Sequence, residues 1–95
     1  MPLKNCASKG RRNEHRSRAL LEAMGYEVVR AAASKGAFDL WAIGSKDFII
    51  CQVKSNCWPG SVEMETLRAF VAPPNCRKLI HRWRDRQRLP DVKEI

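Results

Sequence analysis

Two short apolar segments, 38–43 (FDLWAI) and 48–54 (FIICQVK), flank the turn-forming run Gly44-Ser45-Lys46-Asp47, and this pairing constrains the fold more than any other feature of the chain. Segments rich in Ile, Val, Phe and Trp read as strands, and a short link carrying Gly and Asp reads as a hairpin turn. With Ser45-Lys46 at the tip, Gly44 faces Asp47 and Ile43 faces Phe48, so partner numbers sum to 91. Continued outward, that register sets Asp39 opposite Gln52 on one face, with Cβ atoms about 5 Å apart. Lys54, two residues further on, shares the face because strand side chains alternate with period two. A slip of one residue would turn the whole set over. Both segments are apolar on both faces, which predicts central strands covered on two sides.

The rest of the chain supplies the cover. Residues 1–10 are polar, basic and end in glycine, and read as a flexible basic arm. A helix fits 11–24, with Glu14, Ser17, Leu21 and Met24 at spacings of 3, 4 and 3, and Gly25 suits its C-cap. Residues 26–30 (YEVVR) form a strand, and 31–36 a small-residue connection. After the break at Trp58-Pro59-Gly60, Val62, Leu67, Phe70 and Val71 mark an amphipathic helix over 61–71, ended by Pro73-Pro74. Residues 76–83 form another strand, and a last short one is expected near Val92. The expectation is a single α/β domain over 1–95, with a central mixed sheet flanked by helices.

The net charge of +8 favours a polyanionic partner, and nucleic acid is the most abundant one inside a cell. No apolar run is long enough to span a bilayer, and the first residues lack a secretory signal, so the expected location is the cytoplasm, or a host's cytoplasm for a viral protein. Cys6, Cys51, Cys57 and Cys76 form no Cys-x-x-Cys pair, and with His15 and His81 they complete no zinc spacing. Reduced cysteines and ordinary histidines are expected.

An acid, an amide and an amine at the open end of one hairpin suit phosphodiester hydrolysis, which needs a cation to offset phosphate charge and activate water. Magnesium takes oxygen ligands and retains several waters. Asp39 would supply a carboxylate, Gln52 an amide oxygen and Val53 a backbone carbonyl, while Lys54 would steady the developing charge. Glu14 adds a second carboxylate if its helix lies near. The same residues have plainer readings: Asp39 with Lys54 as a strand-end ion pair, and Glu14 as a solvated helix acid. The basic stretches 4–18 and 82–88 suit phosphate contact or simple solvation.

The ordered set Gly10-Arg11-Arg12-Asn13-Glu14, Val28-Val29-Arg30, Phe38-Asp39-Leu40 and Ile50-Cys51-Gln52-Val53-Lys54-Ser55 resembles the PD-(D/E)XK nuclease superfamily, and within it the archaeal-type Holliday junction resolvases. The likeness covers roughly 9–55 in motif and 60–83 in element order. It implies a restriction-endonuclease-like fold and a magnesium-dependent endonuclease (manganese substituting) that acts as a homodimer on four-way DNA junctions. By that resemblance Glu14, Asp39 and Gln52 are metal-site residues, with Val53 beside them, and Lys54 is the catalytic lysine. Arg30 and Ser34 support the phosphate or active site, and the basic helix start with Arg11 and Arg12 meets DNA. Phe38 stands where the motif has proline, and His15 where these resolvases often carry arginine. Gln52 stands where an acid is usual, which removes one negative charge and predicts weaker metal affinity. A nuclease of the same superfamily acting on other DNA, and a DNA-binding relative without cleavage, remain the alternatives.

Overall fold

A computed structural model describes the backbone of residues 2–31 and 38–95, with side chains from Gly10 onward. The elements run α1 (Pro2–Ala23), β1 (Glu27–Arg30), β2 (Leu40–Ile43), β3 (Phe48–Ser55), α2 (Ser61–Ala69), β4 (Cys76–Trp83) and β5 (Asp91–Glu94). They build one five-stranded sheet in the order β1-β2-β3-β4-β5. All neighbours are antiparallel except β3 and β4, which run parallel and are joined through α2. A parallel pair needs such a crossover, and the sheet is therefore mixed, as expected.

The hairpin register is the one read from the turn: Ile43 pairs with Phe48, Ala42 with Ile49, Trp41 with Ile50 and Leu40 with Cys51. The turn closes where the Gly44 N–H donates to the Asp47 carbonyl at 2.9 Å. A Cβ on Gly44 would lie 2.7 Å from the Tyr26 ring, whose hydroxyl donates to Asp47 at 2.7 Å, so only glycine fits there. At the same end of β1, just before Glu27, α1 stops in a Schellman motif. Gly25, at φ +99°, donates to the Glu22 carbonyl and Tyr26 to that of Leu21.

Two apolar clusters flank the sheet. Leu21 of α1 packs with Val28, Leu40, Ala42, Ile49, Cys51 and Leu79 on one side, and Leu67 of α2 packs with Phe38, Ile50 and Ile80 on the other. Burying an aliphatic side chain of this size contributes about 1.5–3 kcal/mol. Phe38 and Leu40 are two residues apart yet enter opposite clusters, so the strand alternation breaks between them, at Asp39. That break shortens the expected strand: β2 begins at Leu40 rather than at residue 38.

Three further expectations change. Residues 2–10 belong to α1, where a flexible arm was expected. Pro2 at the first helical position is pre-organised for a helix, and one internal glycine, Gly10, weakens a helix by about 1 kcal/mol without breaking it. The inward face of α1 is Asn13, Ser17 and Leu21, spaced by four, whereas Met24 is exposed beyond the helix end. Finally, β3 is covered on both sides, but β2 on one only: Leu40 and Ala42 are buried, while Trp41 and Ile43 are 42% and 50% exposed. Helix α2 lies over β3 and β4 and leaves Val29, Trp41 and Ile43 as an apolar strip. Among the described residues no helix is long and apolar enough to cross a membrane.

Candidate active site

The broken alternation at Asp39 aims its side chain along β3. Asp39 Oδ2 accepts a hydrogen bond from the Val53 backbone N–H at 2.8 Å, while the Asp39 N–H donates to the Cys51 carbonyl at 2.9 Å. The carboxylate is thus held by the strand that carries Gln52 and Lys54. Burial raises the Asp39 pKa and the Val53 N–H opposes that rise. The carboxylates of Glu14 and Glu63 raise it further, and the Lys54 ammonium lowers it. Three charged side chains, from α1, β3 and α2, therefore act on Asp39 at once.

Gln52 and Lys54 both turn to the α2 side, as their spacing on β3 requires. The Gln52 Nε2 donates to Glu63 Oε2 at 3.2 Å, and Lys54 Nζ lies 3.4 Å from Glu63 Oε1. Lys54 is thus ion-paired with Glu63, and a simple Asp39–Lys54 strand-end pair does not describe the site. Gln52 is only 8% exposed, and its Oε1 is buried with no hydrogen-bond partner. Such an orphan acceptor costs about 1–3 kcal/mol, and active sites are one of the places where that cost is tolerated.

Glu63 escaped the sequence reading. It lies in the first turn of α2, four residues before the buried Leu67, so both occupy the sheet-facing side of the helix. Lys78 on β4 holds the other end of α2, donating to the Leu67, Arg68 and Phe70 carbonyls at 3.0, 2.7 and 2.6 Å. The amphipathic pattern of 61–71 marks Glu63 as inward-facing, but not which strand it approaches.

Glu14 approaches from the α1 side. Its Oε1 lies 3.2 Å from Arg30 Nε, and the two line a cavity of about 260 Å³ with Arg11, His15, Arg18 and Leu40. Arg11 and Arg30, expected at DNA, are brought together there. Arg12 is exposed and lies outside that lining. Ser34 lies outside the described residues. Below this face, α1 is docked by buried polar contacts: Asn13 Nδ2 donates to Ser55 Oγ at 2.7 Å, and Ser17 Oγ lies 2.9 Å from His81 Nδ1. The Trp83 indole N–H also donates to Ser17 Oγ, at 2.7 Å. These contacts set the height of α1 above β3 and β4, and so the distance from Glu14 to Asp39.

Among the described residues no group of three or more His, Cys, Asp and Glu side chains is spaced to hold a metal by itself. A hard divalent cation does not require one, since one or two carboxylates with waters suffice. The oxygen-only donor set and the orphaned Gln52 Oε1 fit such an ion.

A mixed sheet that gathers an acid, an amide and a lysine at the end of one hairpin, beside an arginine-lined cavity, defines a protein that acts on phosphodiesters. A profile of the archaeal Holliday junction resolvases (Hjc) matches residues 5–72, and the chain belongs to that family. Membership makes it a junction-resolving nuclease, with binding to branched DNA and use of a divalent metal. Among solved structures, a Holliday junction resolvase from the archaeal hyperthermophile Archaeoglobus fulgidus superposes with a TM-score of 0.70. The two share 19% identity, and the match covers 92% of this chain and 71% of that one, which shows the same fold. A comparison with curated proteins returned no match.

Proposed function

We propose that this chain is a magnesium-dependent endonuclease that makes paired nicks in four-way DNA junctions as a homodimer, with manganese able to replace magnesium. The observation that carries this reading is the Asp39 carboxylate held at 2.8 Å by the Val53 N–H, between Gln52 and Lys54 on β3. Asp39, Gln52 and Glu14 would hold the cation, with the Val53 carbonyl beside them. The bound cation supplies charge neutralisation at the scissile phosphate and lowers the pKa of the attacking water. Lys54 orients that water and stabilises charge on the phosphate oxygens. Val53, through its N–H, fixes the Asp39 carboxylate so that little reorganisation is needed when the substrate arrives. Arg11 and Arg30 receive the DNA backbone at the Glu14 cavity, with Arg12 and Ser34 as further contacts.

Pairing of two copies is supported by the strip of Val29, Trp41 and Ile43, because exposed apolar patches mark association surfaces. In a chain with net charge +8, an uncharged strip is also where two copies repel least. Two-fold symmetry would set the two sites for matched nicks.

The test is a labelled four-way junction and a linear duplex of the same sequence, each incubated with and without magnesium. Symmetric nicking of the junction alone, and only with magnesium, is the expected result. Equal cutting of both substrates would replace the junction reading with a general nuclease, and tight salt-sensitive binding without cutting would leave a DNA-binding relative.

Arg30→Ala should weaken junction binding evenly across sequences and lower the slope of log affinity against log salt by about one, as expected for one lost phosphate contact. Its pair with Glu14 is on the surface side, with Arg30 60% exposed, so thermal stability should change by no more than about 1 kcal/mol. An unchanged salt slope would remove Arg30 from the DNA interface.

A further inference from the structure

We propose that Glu63, on the first turn of α2, supplies the metal-site carboxylate that Gln52 lacks, so that this chain holds its cation with a glutamate delivered by the crossover helix. The inference rests on the metal-dependent reading above. It starts from charge. With glutamine at position 52, β3 brings no acid to the site, and Asp39 is the carboxylate from the hairpin itself. Glu14 is engaged by Arg30 at 3.2 Å, within a cavity lined by two further arginines. Glu63 is the carboxylate in direct contact with both Gln52 and Lys54, at 3.2 and 3.4 Å, and its charge also acts on Asp39.

The orphaned Gln52 oxygen is the second observation. A carboxylate accepts and does not donate, so Glu63 turns the Gln52 amide with its NH2 toward itself and leaves Oε1 buried without a partner. An amide is nearly symmetric in shape, and rotation by half a turn would exchange the two atoms. Oε1 would then lie beside the Glu63 carboxylate. In that orientation the two oxygens side by side would repel unless a cation joined them, so the rotated amide is favourable only with an ion bound. The amide–carboxylate contact is a latent cation site.

Glu63 is also held firmly enough for the task. Leu67, fully buried four residues later, fixes the rotation of α2, and Lys78 pins its C-terminal end. A carboxylate in the first turn is further favoured by the helix dipole. A mere partner for Lys54 would not require contact with Gln52 as well.

The experiment is a titration of the full chain with Mn2+, reading free aquo-Mn2+ by electron paramagnetic resonance, with no DNA and no turnover. Glu63→Gln keeps the size and a hydrogen-bonding amide, and Glu63 is 42% exposed, so the variant should fold; circular dichroism checks this. Its Mn2+ affinity should fall by roughly 10–100-fold, at least the loss typical for removing a supporting group of a metal site. Moving the carboxylate back to the strand, in Gln52→Glu with Glu63→Gln, should restore affinity to near the starting level. Gln52→Glu alone should bind more tightly than the unaltered chain. Glu65→Gln, on the exposed side of α2, serves as the charge control and should change nothing. If Asp39→Asn abolishes Mn2+ binding while Glu63→Gln does not alter it, Glu63 is only a hydrogen-bonding partner and the proposal is overturned. If the unaltered chain binds no Mn2+ at all, the metal reading itself fails.

Discussion

Asp39→Asn is expected to lower single-turnover nicking of a four-way junction by at least roughly 1,000-fold, the scale of losing a pre-organised electrostatic group together with its metal. Junction binding, measured by gel shift without magnesium, should persist. The substitution separates chemistry from structure because asparagine retains an oxygen able to accept the Val53 N–H. Asp39→Ala removes that acceptor, leaves a partly buried amide unpaired, and should cost about 1–3 kcal/mol as well as activity. Stability has a sign of its own. Burial raises the Asp39 pKa in the folded chain, so its contribution is most favourable at low pH and is lost as pH rises through the folded value. An uncharged asparagine escapes that penalty, and the melting temperature of Asp39→Asn at neutral pH should therefore hold or rise. Lys54→Ala should lose cleavage in the same way with binding retained. Full activity in Asp39→Asn would remove this residue from the metal site; loss of binding in step with cleavage would point to a docking role.

Acid should loosen the fold through His81. This residue is buried under α1 against Ser17, and burial pushes its pKa down to about 4 from 6.5. A histidine whose folded pKa is lowered stays neutral in the folded chain but takes up a proton in the unfolded one. Its contribution is therefore complete above pH 6.5, declines as pH falls toward 4, and has been lost below that. The drop is worth about 3 kcal/mol, which in a domain of this size lowers the melting temperature by roughly 10–20 °C. Thermal unfolding followed from pH 7.5 to 4 would measure it. His81→Gln, lacking a titratable ring, should show a much flatter profile over the same range, even if it starts from a lower melting temperature. An equally steep profile in that variant would assign the acid sensitivity to other groups. Because Ser17 joins His81 and Trp83 to the helix that carries Glu14, cleavage should decline in the same interval.

Much of the hairpin is legible in the sequence. The turn at Gly44 to Asp47 and the two-residue period of its strands place Cys51 opposite Leu40, as observed. Gly25 likewise marked the end of α1, since a positive φ at that point favours glycine. Errors arose where long-range packing outweighs local pattern. Trp41 and Ile43 look like core on sequence, but α2 lies over β3 and β4 instead. Residues 2–10 look like an arm because they are polar, basic and end in glycine, yet they continue a helix already anchored by Ser17 and Leu21.

Hydrophobic period and turn chemistry act between residues close in the chain, so the sequence alone determined the β2–β3 register and the placing of Gln52 and Lys54 on one side of β3. Tertiary structure decided the rest of the site. The break at Asp39 depends on Phe38 being drawn into the α2 cluster while Leu40 stays beneath α1, a competition between two layers that no local pattern encodes. Glu63 reaches Gln52 because a parallel β3–β4 pair requires a crossover, and Leu67 and Lys78 then set how that crossover helix lies. Those contacts span the whole domain, and only the folded chain brings them together.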